Sequence, residues 1–213
     1  MSFFYKVQAE QVFLNKKEAA RYSGYISHGN AESGAEPGGS FFNLIDESCK
    51  KMQKILVPQA VYEEFDLSIV CSDDEKVPEI KFGGISFKSR DLAKNLKDCK
   101  KIILLAATIG TSVDMMIRRA QQCGSADAAI MQGVGAMFIE SFVDDFNERL
   151  CRDYELKGCR LHPRFSPGYG DVPLEIQKYF FSLLPCSKIG LSLMDTLIMA
   201  PEKSVTAFIG IEV

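Results

Sequence analysis

The sequence predicts an α+β fold, namely a single domain over residues 1–213 with a mainly antiparallel sheet and several helices. Segments with the pattern of strands come in runs, and so do segments with the pattern of helices, whereas an α/β fold alternates the two regularly. Gly83-Gly84 separates two short β-type segments, which indicates an antiparallel hairpin. A chain of this length is large enough to bury a proper core.

The first part of the chain is predicted to contain an extended segment, a short helix, a loop and a longer helix. Residues 3–13 are extended, and Asn15 is suited to cap the short helix, with Glu18 completing a capping-box pattern. Residues 27–39 contain four glycines and one proline, so they form a loop. A helix over residues 40–56 is predicted from apolar residues near helical spacing, namely Phe41, Leu44, Ile45, Met52 and Ile55.

Two strand regions and a helix are predicted next. β-branched and aromatic residues predict a strand over residues 61–71. The hairpin strands are Ile80-Lys81-Phe82 and Ile85-Ser86-Phe87. Ser89 is suited to cap a helix over residues 90–96, because its hydroxyl can accept from a free backbone N–H of the first turn.

A buried strand is predicted over residues 101–108, where the apolar run is uninterrupted. It ends in Thr108-Ile109-Gly110-Thr111 and is followed by a helix over residues 112–122. Two interpretations of this connection are open. Either Gly110 only allows a tight turn, or the backbone amides of the turn face a polar ligand or support its pocket.

A long helix is predicted over residues 125–154. An apolar residue recurs every four positions, which predicts a face buried in the core and not a cofactor site; the residues are Ile130, Val134, Phe138, Phe142, Phe146 and Leu150. Glu140 lies off this stripe, on a face shared with Gly133 and Ala136. Such small residues let another group approach the helix closely. A carboxylate at this position is either solvated or available to a ligand.

The C-terminal part is predicted to return to strands. Pro173 fits the first turn of a helix over residues 174–184. Residues 189–194, 196–199 and 205–211 have the composition of closing antiparallel strands.

Residues 162–173, called the signature loop below, are the most informative segment. Three prolines and two glycines exclude a regular helix or a central strand, and they fix the backbone before any ligand arrives. The loop carries Arg164, whose planar guanidinium matches a carboxylate or phosphate. The simpler alternative is a surface connection in which Arg164 pairs with Asp171.

Composition excludes several functional classes. The net charge of −3 provides no basic surface for nucleic acid or anionic lipid, and we expect neither as a partner. The N-terminal residues lack the continuous apolar region of a signal peptide, and no apolar run approaches the roughly 20 residues of a membrane span. A cytoplasmic location is the expectation.

Seven cysteines are spread along the chain without a Cys-x-x-Cys pair, which is not the spacing of a zinc site or a disulfide framework. With only His28 and His162, no metal site is predicted. We expect reduced structural thiols, most of them buried. Cys186, which follows Pro185, is the thiol whose role the sequence leaves open.

The signature loop resembles a known family. Arg164-x-x-Pro167-Gly168-Tyr169 is similar to the Arg-x-x-Pro-Gly-Tyr motif of the activation (reactivation) domain of cobalamin-dependent methionine synthase. Ile139-Glu140-Ser141-Phe142 falls where that family has a ligand-contacting glutamate. The segment from Leu191 to Pro201 and Lys203-Ser204-Val205-Thr206 resemble its closing strands, and residues 15–25 resemble the opening of stand-alone bacterial members.

The resemblance implies an activation-domain fold and a role in methionine biosynthesis. The domain would bind S-adenosylmethionine and support reductive methylation of cob(II)alamin on a separate cobalamin-binding methionine synthase polypeptide. Flavodoxin or another electron donor would supply the electron. Because the cofactor carries the chemistry, the chain would act as a component of a methyltransferase, with little or no activity alone and no catalytic residue of its own.

The resemblance also implies the ligand-binding residues. Arg164 would bind the ligand carboxylate, and Glu140 its ammonium group or ribose hydroxyls. The backbone of Phe165 and Ser166 would contact the adenine. The remaining residues shape the wall, and they are Pro167, Gly168 and Tyr169.

Two other functions stay open at this stage. One is a binding or regulatory module that senses a corrinoid protein without turnover. The other is an activator of a different corrinoid methyltransferase, although such activators generally need an iron–sulfur cluster that the cysteine spacing here does not provide.

Overall fold

A five-stranded antiparallel sheet forms the centre of the protein. The structure is a computed structural model, and it describes residues 1–24, 40–71, 77–124 and 127–213. The strands of this sheet are β1 (Phe3–Lys6), β2 (Gln59–Asp66), β6 (Lys101–Thr108), β7 (Arg160–Leu161) and β10 (Ser204–Glu212). Their order in the sheet is β1-β2-β6-β10-β7, and each neighbouring pair is antiparallel.

Two smaller sheets complete the β-structure of the described residues. A three-stranded sheet has the order β3-β4-β5, and a two-stranded sheet pairs β8 with β9. Gly83-Gly84 joins β4 to β5 as the sequence predicts. The strands are β3 (Ser68–Val70), β4 (Glu79–Phe82), β5 (Ile85–Lys88), β8 (Ser192–Leu193) and β9 (Met199–Ala200).

The helices are α1 (Lys16–Tyr22), α2 (Ser40–Gln53), α3 (Arg90–Asn95), α4 (Thr111–Gln122), α5 (Asp127–Glu155) and α6 (Gln177–Leu183), with 3₁₀ turns at Ala9–Gln11, Leu174–Ile176 and Cys186–Ile189. Both predicted caps are present. Asn15 Oδ1 accepts from Glu18 N at 3.2 Å, and Ser89 Oγ accepts from Leu92 N at 3.0 Å. The Glu18 carboxylate, however, accepts from Arg21, one turn further on.

Strand β6 explains the uninterrupted apolar run, because both faces of the central sheet are covered. Ile103, Leu105 and Ala107 belong to the first core, which is formed with α1, α2, α4 and α5. Ile102, Leu104 and Ala106 belong to the second core on the opposite face, which includes residues of β4, α3 and α6. Helix α5 buries its predicted apolar stripe in the first core.

Gly133 on α5 has the role predicted for a small residue, although the group that approaches is part of the protein. A Cβ at this position would lie 2.5 Å from Ser23 N, at the C-terminal end of α1. Gly133 therefore allows α1 to pack directly against the long helix.

Four predictions about strands and helix ends need correction. Residues 3–13 are not extended throughout, because β1 ends at Lys6 and Ala9–Gln11 form a 3₁₀ turn. Residues 61–71 form two strands in different sheets, because the chain leaves β2 at Leu67, whose N–H donates to Lys100 O. Residues 189–194 and 196–199 form only the two-residue strands β8 and β9, and Ile189 ends a 3₁₀ turn. The helix predicted over residues 174–184 begins as a 3₁₀ turn before α6. The loop predicted over residues 27–39 lies outside the described residues.

The prediction that most thiols are buried is wrong. All seven cysteines are free, and only Cys49, Cys99 and Cys186 are buried, whereas Cys71 and Cys123 are exposed. Cys186 packs in the second core, where burial raises its pKa to about 12. It therefore holds very little thiolate at neutral pH, which is the property of a structural thiol.

The fold class predicted from the sequence, α+β with a mainly antiparallel sheet, is confirmed. Among the helices in the described part of the chain, none is both long enough and apolar enough to cross a bilayer. Within residues 1–24, 40–71, 77–124 and 127–213, no cluster of three or more His, Cys, Asp or Glu side chains is arranged to hold a metal ion.

Candidate functional site

The signature loop is held against the central sheet by its backbone. His162 N donates to Gly210 O at 2.9 Å. Phe165 N donates to Phe208 O at 2.9 Å, and Phe208 N donates back to Phe165 O at 2.7 Å. The start of the loop thus continues β7 along the edge of β10, and the position of Arg164 is fixed by sheet hydrogen bonds.

The Pro167-Gly168-Tyr169 segment forms a closed turn. Gly168 has φ +88°, a conformation that L side chains rarely adopt, and its N–H donates to Val172 O at 2.9 Å. Tyr169 N donates to Ser166 O at 3.2 Å. Pro167 is buried beneath the turn, whereas the Tyr169 side chain is 70% exposed. The turn therefore presents the phenol ring at the surface.

Asp171 anchors the far end of the loop to α3. Its carboxylate accepts from the Ser89 hydroxyl, from Arg90 N at 2.7 Å and from Asp91 N at 3.2 Å. These are free donors of the first turn of α3. The alternative in which Arg164 pairs with Asp171 is therefore wrong, since this carboxylate is occupied by the helix N-terminus.

We expect Asp171→Asn to change the acid dependence of stability. Desolvation opposes ionisation of Asp171, but the hydrogen bonds from Ser89, Arg90 and Asp91 outweigh it and lower its pKa below the ordinary 3.8. A depressed folded-state pKa contributes stability that is present above the unfolded-state pKa and is lost as pH falls through the folded-state pKa.

The variant should be less stable than wild type at pH 7, by about 1 kcal/mol at most because the side chain is exposed, and the difference should shrink at pH 3. Urea unfolding at both pH values measures this, with Asp195→Asn as an exposed control. If the stability difference between wild type and Asp171→Asn were the same at both pH values, the ionised Asp171 carboxylate would not stabilise the loop as described.

Arg164 forms ion pairs with the long helix. Its Nη2 lies 2.5 Å from Asp144 Oδ1 and 3.6 Å from Glu140 Oε2. The Arg164 side chain is only 20% exposed, whereas those of Glu140 and Asp144 are 43% and 65% exposed. The guanidinium is therefore the enclosed group, and the two carboxylates reach it from the solvent side.

Glu140, Asp144 and Asn147 lie on one face of α5, at positions i, i+4 and i+7. This polar face runs beside the apolar stripe and faces the signature loop. Asn147 Oδ1 is buried and has no hydrogen-bond partner among the residues that the structure describes. Asp144 and Asn147 were not predicted as site residues. Their helical spacing from Glu140 is the sequence pattern that indicates a shared face.

A cavity of about 480 Å³ separates α5 from the loop, within the range of small-molecule sites. Its lining consists of Glu140, Asn147, Pro163, Arg164, Phe165, Ser166, Tyr169 and Val205. Five of the seven residues predicted from the sequence thus surround one space. Pro167 and Gly168 are not in its lining and form the turn behind it. A groove of about 600 Å³ on the α3 side shares Pro163, Phe165 and Tyr169 with the cavity.

The charges and surfaces of this cavity suit a ligand that joins a zwitterionic amino-acid group to an apolar ring system. One guanidinium beside two carboxylates can bind an α-carboxylate and an α-ammonium group at the same place. Phe165, Pro163 and Val205 provide apolar surface for a nucleoside. Asn147 adds an amide whose oxygen lacks a donor.

The Thr108-to-Thr111 turn is a tight turn. Gly110 has φ +94°, and its N–H donates to Thr108 Oγ1 at 3.2 Å. A Cβ on Gly110 would also lie 3.1 Å from Val57 Cβ. Since the turn is absent from the cavity lining, the described structure favours the first interpretation.

Comparison with known proteins identifies the fold. No protein-family model and no curated protein sequence matches the chain. A solved structure of the MetH reactivation domain bound to AdoHcy (S-adenosylhomocysteine) matches with a TM-score of 0.68 at 14% sequence identity. The match covers 99% of this chain and 78% of that one. The chain therefore has the fold of the MetH reactivation domain, the activation domain of methionine synthase that its signature loop resembles.

Proposed function

We propose that this protein binds S-adenosylmethionine in the signature-loop cavity and serves in the cytoplasm as a reactivation component of a cobalamin-dependent methionine synthase. The observation that carries the proposal is the meeting of Arg164 and Glu140, 3.6 Å apart, at a cavity of this fold. A solved protein with the same fold is bound to AdoHcy, which is S-adenosylmethionine without its methyl group.

The proposal assigns partners to the amino-acid group and to the adenine of the ligand. The α-carboxylate binds Arg164, and the ammonium group binds Glu140. The adenine lies against the backbone of Phe165 and Ser166. Pro167 and Gly168 hold the turn that positions Tyr169 as the outer wall.

Binding requires an exchange of partners at Arg164. In the described structure the guanidinium is held by Asp144 and Glu140. Ion pairs with exposed partners are weak, so a ligand carboxylate that forms two parallel hydrogen bonds can replace them. The ligand then occupies an arginine that the loop has already positioned, which lowers the ordering cost of binding.

The methyl acceptor in this proposal is cobalamin carried by a separate methionine synthase polypeptide, with flavodoxin or another electron donor as reductant. The protein's own contribution is to hold the sulfonium methyl at the open side of the cavity, beside the exposed Tyr169. Residues 1–213 act as one activation-like domain. Contact with the partner is needed only during reactivation, so a small polar interface suffices.

Glu140→Gln should weaken AdoHcy binding about three- to tenfold, because the ammonium group loses a charged acceptor. Stability should change little, since Glu140 is partly exposed and off the apolar stripe. Calorimetric titration and thermal unfolding measure the two effects. Glu148→Gln, on an exposed position of the same helix, is the matched control. Equal affinity in the two variants would contradict the assignment of Glu140.

Recovery of an oxidised cobalamin-bound methionine synthase tests the function. The partner should regain activity faster when reductant, S-adenosylmethionine and this protein are all present than when this protein is omitted. The Arg164→Ala variant should not accelerate recovery. Ligand binding without any acceleration would overturn the reactivation role and favour a regulatory module.

A further inference from the structure

Asp144 is a second carboxylate at Arg164 that was not among the residues predicted from the sequence. Its Oδ1 lies 2.5 Å from Arg164 Nη2, closer than the Glu140 carboxylate at 3.6 Å. It occupies the position between Glu140 and Asn147 on the polar face of α5, and both of those residues line the cavity. We infer that Asp144 makes the site select ligands that carry an ammonium group beside their carboxylate. This inference rests on the proposed function.

The first step of the argument is competition. Without ligand, Asp144 holds the guanidinium that a ligand carboxylate must take. A ligand that brings only a carboxylate leaves Asp144 without its cation when it binds. A ligand that brings an ammonium group as well gives Asp144 a new neighbouring cation, so that no carboxylate is left without a cation beside it.

The second step is the local charge. One guanidinium and two carboxylates give this end of the cavity a net negative charge. A ligand whose only charge is negative meets repulsion from the two carboxylates there, which their exposure to solvent weakens but does not remove. A zwitterionic amino-acid group meets none, and the additional sulfonium charge of S-adenosylmethionine is attracted.

The third step is geometry. Asp144 is more exposed than Glu140, with 65% against 43% of its side chain accessible. It can therefore move from the guanidinium to a neighbouring ammonium group without opening the core. The two carboxylates therefore have different roles in this inference. Glu140 binds the ammonium group, whereas Asp144, the closer partner of Arg164, first competes for the guanidinium and then joins in binding the ammonium group.

The test compares two ligands in two variants by calorimetric titration. The ligands are AdoHcy and its deaminated analogue, which keeps the carboxylate and lacks the amine. Asp144→Asn should reduce the preference for AdoHcy over the analogue about fivefold or more, with the analogue binding the variant at least as tightly as it binds wild type. Asp145→Asn, the exposed neighbour, should leave the preference unchanged.

Three outcomes decide the matter. A reduced preference in Asp144→Asn, with an unchanged melting temperature, supports the inference. An unchanged preference, with wild type binding AdoHcy, overturns the role of Asp144 and leaves the proposed function standing. If wild type binds neither ligand, the proposed function itself fails, and the inference fails with it.

Discussion

Replacing Arg164 by alanine should lower the affinity for S-adenosylmethionine and AdoHcy at least tenfold. Among the described residues that line the cavity, Arg164 is the only cation, and its guanidinium is largely enclosed. Loss of a charge-assisted hydrogen bond of this kind costs about 1.5–3 kcal/mol, which corresponds to roughly ten- to 150-fold in the dissociation constant. The carboxylates of Glu140 and Asp144 would also repel the ligand carboxylate once the guanidinium is gone.

Two further variants make this result specific to the guanidinium. Arg164→Lys keeps the charge but loses the planar fork, so its affinity should fall between those of wild type and Arg164→Ala. Arg118→Ala removes a similarly paired arginine, whose partner Glu202 lies outside the cavity, and should bind as wild type does. If wild type and a folded Arg164→Ala variant bound S-adenosylmethionine with equal affinity, the assignment of Arg164 as a ligand-binding residue would be wrong.

The largest effect on stability should come from Phe208→Ala. Phe208 is fully buried in β10, and its ring contacts Phe180 and Phe82 at centroid distances of 4.7 and 5.7 Å. Truncating such a residue leaves a cavity and should lower the free energy of unfolding by about 3–5 kcal/mol. A domain of this size is stable by only about 5–15 kcal/mol, so the variant would be close to unfolding.

Phe13→Ala is the matched control for this prediction, because the Phe13 side chain is 69% exposed. Its free energy of unfolding in urea should stay within about 0.5 kcal/mol of wild type. If Phe208→Ala were as stable as Phe13→Ala, the second core would not be packed as described.

The parts of the fold that the sequence predicts well are those where one physical signal dominates. Strand Lys101–Thr108 was predicted at its observed bounds because both of its faces are buried, so that no polar residue interrupts the run. The apolar stripe of α5 was predicted because one face of a long helix is buried. Local caps at Asn15 and Ser89 were also predictable, since each depends on contacts within four residues.

Elements that depend on tertiary contacts were harder to predict. The break at Leu67 between β2 and β3 follows from a hydrogen bond that Leu67 N donates to Lys100 O. The local sequence pattern around Leu67 does not predict this contact. Ile189, Leu191 and Met199 are apolar because they pack on the second core, and short apolar runs of this kind do not distinguish a strand from a 3₁₀ turn.

In the candidate site, too, residues within one local motif were easier to predict than residues brought together by tertiary contacts. The family resemblance predicted Glu140 and six loop residues as ligand contacts, and the structure places five of these seven around one cavity. The positions of Asp144 at Arg164 and of Asn147 in the cavity lining were not predicted, because they arise only when α5 and the loop meet in space. The suggested pair of Arg164 with Asp171 was wrong because proximity in sequence did not reveal that Asp171 faces the N-terminus of α3.

Calorimetric titration of the wild-type protein with S-adenosylmethionine tests the central claim most directly. The proposal predicts saturable binding of one ligand per chain, competition by AdoHcy, and weaker binding by the Arg164→Ala variant under the same conditions. Absence of saturable binding at millimolar ligand, with a protein shown to be folded by its cooperative unfolding, would contradict the claim that the signature-loop cavity is an S-adenosylmethionine site.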